Sequence, residues 1–241
     1  MPNVRIATYN VHKCRGMDRR VDPARIAAVL AGVNADLVAL QEVLSIRGAA
    51  PEEDQAAFIA SRLAGYEVYF GENRKLRGGA YGNAILSRLP VRLTRNYDLT
   101  WKGCERRGCL RADVELAPGT LLHFFNVHLG TAFLERRFQG RRLLSLDVLK
   151  SPALAGPRVV VGDFNEWTRG LASRLMTGEF ESVDLRLHTG RRRTYPGLLP
   201  LLHLDHFYFD HHLKLRDFKL HRTRHSLLAS DHLPLVAEFE Y

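Results

Sequence analysis

Asn10 closes the apolar run VRIATYN (4–10), Glu42 closes LVALQE (37–42), and His128 lies near the end of LLHFFNVHL (121–129). Asp163 and Asn165 follow a run of valines in VVVGDFN, Asp205 stands in LDHFYF, and Asp231 and His232 stand in SDHLPL, just before a last apolar run. Each alone has an ordinary reading. A Glu after a strand is usually a loop residue, Asp-His before one is turn chemistry, and a lone His is more often structural than reactive. Their recurrence outweighs those readings, because polar groups at the ends of separate strands converge on one rim, held by rigid backbone and open to water. Carboxylates and amides without a Cys/His cluster suit a hard cation such as Mg2+, or Mn2+ in its place, held by one or two carboxylates, water and a substrate phosphate. An Asp near that ion positions or deprotonates water, and a His donates a hydrogen bond or proton to a phosphoryl oxygen. Such a set suits hydrolysis of a phosphoester.

The elements that must carry these groups are strands separated by helices. Strand-length apolar runs recur along the chain, some alternating with period two (LRADVEL, 110–116) and others continuously apolar like central strands (RVVVGD, 158–163). Asp22 before Pro23 is a helix N-cap and first-turn pair, opening PARIAAVLAGV. Residues 51–65 and 133–150 are further helical candidates, the second interrupted by Gly140. The pattern predicts two mixed sheets stacked face to face with helices on the outer faces. With 241 residues, 46% of them hydrophobic, the chain is expected to form one domain, 1–241.

The N-terminus enters a strand pattern at once, so no secretory signal is expected, and no apolar run approaches the ~18 residues of a membrane span. Three cysteines (Cys14, Cys104, Cys109) suggest neither a disulfide framework nor a zinc site, which points to a reducing, cytoplasmic compartment. The net charge of +9 and the clusters RKLR (74–77), ERR (105–107), ERRFQGRR (135–142) and GRRR (190–193) favour a polyanionic partner.

The ordered series TYN, LQEV, GNAILSRLP, NVHLG, GDFN, LDHFYF and SDHLPL resembles the endonuclease/exonuclease/phosphatase superfamily over residues 4–240. NVHLG is closest to its DNase I and neutral sphingomyelinase side; many apurinic endonucleases carry Tyr where His128 stands. The resemblance implies an α/β fold, a four-layered α/β/β/α sandwich. It implies Glu42 as the principal Mg2+ ligand, Asn10 close to metal and phosphate, and Asp231 shaping the metal site. It implies Asp163 as the residue that orients or activates water, Asn165 as a phosphate holder, His232 on the phosphoryl group with Asp205 orienting it, and His128 as a second phosphate-facing histidine. His12 departs from the pattern, standing where many apurinic endonucleases carry an Asp.

The implied activity is a Mg2+-dependent phosphodiester hydrolase, with nucleic acid favoured by the arginines; Arg111 and the ERR run before it are candidate substrate contacts. A phospholipid or head-group diester is the alternative, because Leu198, Leu199, Leu201 and Leu202 precede Asp205 and would make a lip for an anionic membrane surface. A phosphomonoesterase and a non-catalytic binding module are weaker readings, the second because clustered charge is costly without a metal or substrate. No protein partner is implied.

Overall fold

The computed structural model describes residues 2–48, 50–166, 170–183, 194–195 and 202–241. Its twelve described strands are β1 (Asn3–Asn10), β2 (Leu37–Ser45), β3 (Glu67–Leu76), β4 (Gly79–Ser87), β5 (Val91–Asp98), β6 (Gly108–Ala117), β7 (Thr120–His128), β8 (Arg158–Asp163), β9 (Glu181–Ser182), β10 (Asp205–Phe209), β11 (Lys214–Leu220) and β12 (Leu235–Glu240). They form two six-stranded sheets, ordered β11-β12-β1-β2-β4-β3 and β5-β6-β7-β8-β10-β9. The described helices are α1 (Pro23–Val33), α2 (Gln55–Ser61), α3 (Phe133–Leu143), α4 (Leu171–Thr177) and α5 (Arg224–Ala229).

Each sheet is built around one parallel pair, β1 with β2 and β7 with β8, flanked by antiparallel neighbours. Parallel neighbours need a crossover, and α1 and α3 supply it. One apolar cluster fills the space between the sheets, with Leu37, Ile85, Phe124, Val161 and Phe239 among its members. A second lies under α1 and α2 and a third under α3 and α4, giving the four layers.

The helix ends follow local chemistry. Asp22 Oδ1 accepts from the backbone N–H of Ala24 (3.0 Å) and Arg25 (3.3 Å), and Pro23 occupies the first turn. The 51–65 candidate splits, with a 3-10 turn at Pro51–Glu53 and α2 beginning only after Asp54. Asp54 also accepts from Ser45 Oγ at 3.0 Å, which ties this break to the end of β2. The 133–150 candidate ends at Leu143, where turns send Val148 and Leu149 back into the core. Gly140 does not interrupt α3. A Cβ there would lie 3.1 Å from Ala172 Cα, so glycine lets α3 and α4 approach closely.

Candidate active site

The two parallel pairs end at the same rim. Asn10 ends β1, Glu42 sits near the end of β2, and His128 and Asp163 end β7 and β8 opposite each other in register. Asp205 opens β10 directly opposite Asp163, and His232 arrives on the segment before β12. Local backbone irregularities aim these groups. Glu42 has φ +58° within a break in the β2–β4 register, and Asn165 has φ +50° just past β8. Gly162 has φ +140°, and a Cβ there would collide with the Val127 carbonyl. Beneath the rim, Asn126 Nδ2 donates across the sandwich to the carbonyls of Leu40 (2.9 Å) and Ala84 (2.8 Å), while Gln41 Nε2 donates to Asn126 Oδ1 (2.8 Å). The bulge interrupts the ladder just after the Leu40–Ala84 pair, so a side chain of the other sheet satisfies both carbonyls.

At the centre, Asn10 Nδ2 donates to Asp163 Oδ2 at 3.0 Å and to Glu42 Oε1 at 3.3 Å. The Asn165 backbone N–H donates to Asp163 Oδ1 at 2.9 Å. His128 Nε2 and His232 Nε2 each lie 3.7 Å from Asp163 Oδ2, and His232 Nδ1 lies 2.9 Å from Asp205 Oδ2. Asn10, His128, Asp163, Asp205 and His232 are all buried. Burial raises the Asp163 carboxyl above its ordinary value despite the two histidines. Burial opposes charge on His232, but Asp205 and then Asp163 outweigh it and push the imidazole up to about 10. Burial and then the Arg107 guanidinium hold His128 down at about 4. The two histidines are therefore unlike at neutral pH: His232 carries a proton to donate and His128 is neutral.

Lys13 and Tyr195 carry no signal in the sequence, whereas the ERR run is expected near the site. Lys13 Nζ pairs with Glu42 Oε2. Burial resists ionisation of Glu42, yet His128 and the Lys13 ammonium keep its carboxyl far below the usual range. His12, Lys13 and Cys14 all have positive φ, a left-handed run with no glycine to announce it. Tyr195 lies with its ring 4.9 Å from that of His232. From the ERR run, buried Arg107 reaches both ring nitrogens of His128, at 3.1 and 3.2 Å. Glu105 joins Arg107 (3.1 Å) to Arg74 on β3 (2.6 Å), so a chain of charge crosses from one sheet to the other.

Arg111 is not brought to this rim. It alternates with Leu110 and Ala112, which fill the space between the sheets, so it faces outward over Phe125. There it is paired with Asp113 and Tyr97. Asn165 directs its Nδ2 to the Leu129 carbonyl (2.9 Å), which ties the loop after β8 to the end of β7. Asp231 lies 3.4 Å from His12 Nδ1, so the residue that departs from the expected Asp faces a carboxylate. Of the leucine lip, Leu202 is half-buried and bridged to Tyr195; Leu198, Leu199 and Leu201 lie outside the described residues, as does GRRR.

Two carboxylate groupings bear on a metal. Ligand atoms of Asp163, Asp205 and His232 lie within 4.8 Å of one another, close enough to hold an ion. His232, however, is engaged with Asp205 and carries a raised pKa, so this trio already holds its own positive charge. Glu42, ionised and partly exposed, offers the hard oxygen such a cation prefers, beside Asn10.

The family model described as endonuclease/exonuclease/phosphatase family matches residues 7–232. The chain belongs to that family. YbhP of Escherichia coli (strain K12) is 30% identical over 246 residues, covering 97% of this chain and 95% of YbhP. An endonuclease/exonuclease/phosphatase structure from Bacteroides vulgatus superposes with a TM-score of 0.81 at 19% identity, over 100% of this chain and 99% of that one. TDP2 of D. rerio, solved with a single-strand DNA product, superposes with a TM-score of 0.74 at 18% identity, over 99% of each chain. The family is generally hydrolytic, and these superpositions establish its four-layered fold for this chain.

Proposed function

We propose that the protein is a Mg2+-dependent phosphodiester hydrolase acting on nucleic acid by attack of water on phosphorus. The observation that carries this reading is the buried meeting of a proton donor and a proton acceptor, His232 and Asp163, 3.7 Å apart and held by Asp205, Asn10 and Asn165. Asp163 takes the proton of the attacking water, since a carboxyl raised by burial is a better base than an exposed one. His232, protonated and fixed by Asp205, donates to a phosphoryl oxygen as charge develops there. His128 with Arg107 behind it presents a second polar contact to the same group. Glu42, with Asn10 and Asp231, would hold Mg2+ or Mn2+, which supplies polarisation of the phosphoryl oxygen when bound.

Nucleic acid is the favoured substrate because the chain carries a net charge of +9, with Arg107 among its cations placed beside His128, and backbone phosphates dominate such binding. TDP2, of the same fold, was solved with a DNA product. The free cysteines suit the cytoplasm. The test is Mg2+-dependent nicking of supercoiled plasmid, with EDTA and Asp163→Ala as controls. Nicking that both controls abolish supports the reading; intact plasmid with folded, metal-loaded protein sinks the nuclease assignment. The second reading, a phospholipid head-group diester, is favoured by exposed apolar residues on α3, the helix that follows His128.

A further inference from the structure

Half of the exposed large hydrophobic residues among those described fall within fourteen residues of sequence. Phe133 is 58% exposed, Leu134 55%, Phe138 41% and Leu146 72%. Leu134, Arg137, Phe138 and Arg141 stand at i, i+3, i+4 and i+7, so they form one face of α3, and all four are exposed. Phe133 precedes this face, and Leu146 follows it in the turn beyond the helix. The opposite face holds the helix in place. Glu135, Gln139, Gly140 and Leu143 are buried, Gln139 Oε1 accepts from the Gly130 N–H at 2.8 Å, and Gly140 lies against Ala172. The helix therefore cannot roll its apolar side chains inward, since its buried side is already packed.

We infer that this face of α3 docks the protein on an anionic lipid bilayer. Core packing does not explain it, because these side chains point to water. A polynucleotide uses arginines and can stack bases on phenylalanine, but it offers nothing to two aliphatic leucines. A bilayer interface uses all of them: Phe and Leu enter the acyl boundary while Arg137 and Arg141 meet anionic head groups. The charge is complementary. Glu135 is buried away from the face, and Asp147 beyond it is paired with Arg142 at 2.7 Å. Gly130, two residues past His128, is tied to α3 through Gln139, so docking would hold the rim at a fixed attitude to the membrane. The inference does not depend on which diester is cleaved.

The test is co-sedimentation with vesicles of phosphatidylglycerol and phosphatidylcholine, and with vesicles of phosphatidylcholine alone. The protein should sediment with the anionic vesicles. Arg137→Glu with Arg141→Glu should weaken this by at least roughly tenfold, and Leu134→Ser with Phe138→Ser should weaken it comparably. Both double variants should melt as the parent does and hydrolyse the soluble diester bis(p-nitrophenyl) phosphate at the parent rate. Two results would overturn the inference: no sedimentation with anionic vesicles, or undiminished sedimentation of the Leu134→Ser, Phe138→Ser protein. A face that binds a labelled single-stranded oligonucleotide through Arg137 and Arg141, and no vesicle, belongs to a polynucleotide instead. Vesicle binding as stated by a protein inert toward the soluble diester supports docking and removes the hydrolase reading alone.

Discussion

Asp113 with His123 on the second sheet, and Asp205 with His232 at the rim, are two buried carboxylate–imidazole pairs of nearly equal geometry, at 2.7 and 2.9 Å. Their remaining atoms separate them. Both oxygens of Asp113 receive Arg111, and His123 Nε2 accepts from the Gly156 N–H at 3.2 Å, so this pair is closed. Among the described residues Asp205 Oδ1 has no hydrogen-bond partner, and His232 Nε2 faces Asp163 from 3.7 Å, beyond a hydrogen bond. Proximity of Asp to His therefore does not by itself distinguish the rim; unsatisfied hydrogen-bonding capacity in a buried setting does.

Substitution sharpens that contrast most. His232→Ala and Asp163→Ala should each lower hydrolysis of a soluble diester by about 10²–10⁴-fold per folded molecule, as expected for loss of acid–base groups; His232→Ala, which leaves Asp205 buried without its partner, should also melt earlier, whereas Asp163→Ala should leave the melting temperature little changed. Asp113→Ala should do the reverse. Removing one partner of a buried ion pair costs about 3–5 kcal/mol, read by urea denaturation, while turnover per folded molecule is unchanged. Activity lost in Asp113→Ala without loss of stability would break the distinction between the pairs.

The pairs should also fail at opposite ends of the pH scale. His232 is raised from an ordinary 6.5 to about 10, so its stabilisation is complete below 6.5 and disappears as pH climbs through 10. Burial alone would raise Asp113, but His123 and Arg111 outweigh it and leave its carboxyl below the ordinary 3.8. Its contribution is present above 3.8 and disappears as pH falls through the lowered value. Melting curves across pH should therefore lose their alkaline limb in Asp205→Asn and their acid limb in Asp113→Asn. The smallest effect concerns Glu42, whose carboxylate Lys13 closes. Lys13→Gln should tighten Mg2+ binding severalfold by titration calorimetry, because the ion no longer competes with an ammonium.

Much of this was readable before folding. The polar residues at the strand ends, Asn10, Glu42, His128, Asp163 and Asp205, converge because β-strands deliver their ends to a common edge, and α1 was marked by Asp22 and Pro23. Arg107, in the ERR run, and Arg111 are both candidates, and separating them requires knowing which face of β6 meets the other sheet. The alternation of Leu110, Ala112 and Val114 held that signal, since Arg111 shares neither their face nor their neighbours. Lys13 was hidden because its position depends on a left-handed run of His, Lys and Cys, residue types that do not advertise positive φ. The end of α3 was hidden because Leu144–Leu149 keeps a helical apolar pattern while tertiary packing folds it back as turns.

Asn126 directs its amide to the carbonyls of Leu40 and Ala84 and so clamps the two sheets beneath the rim. Asn10 and Glu42 belong to one sheet; His128, Asp163 and Asp205 belong to the other. The site is thus a joint between two plates, and its alignment tolerance is set by that clamp. Sliding of the plates by a fraction of a hydrogen-bond length would separate the halves without altering a single charge. The accuracy of the chemistry is in this sense a mechanical property of the sandwich, fixed one layer below where substrate would lie.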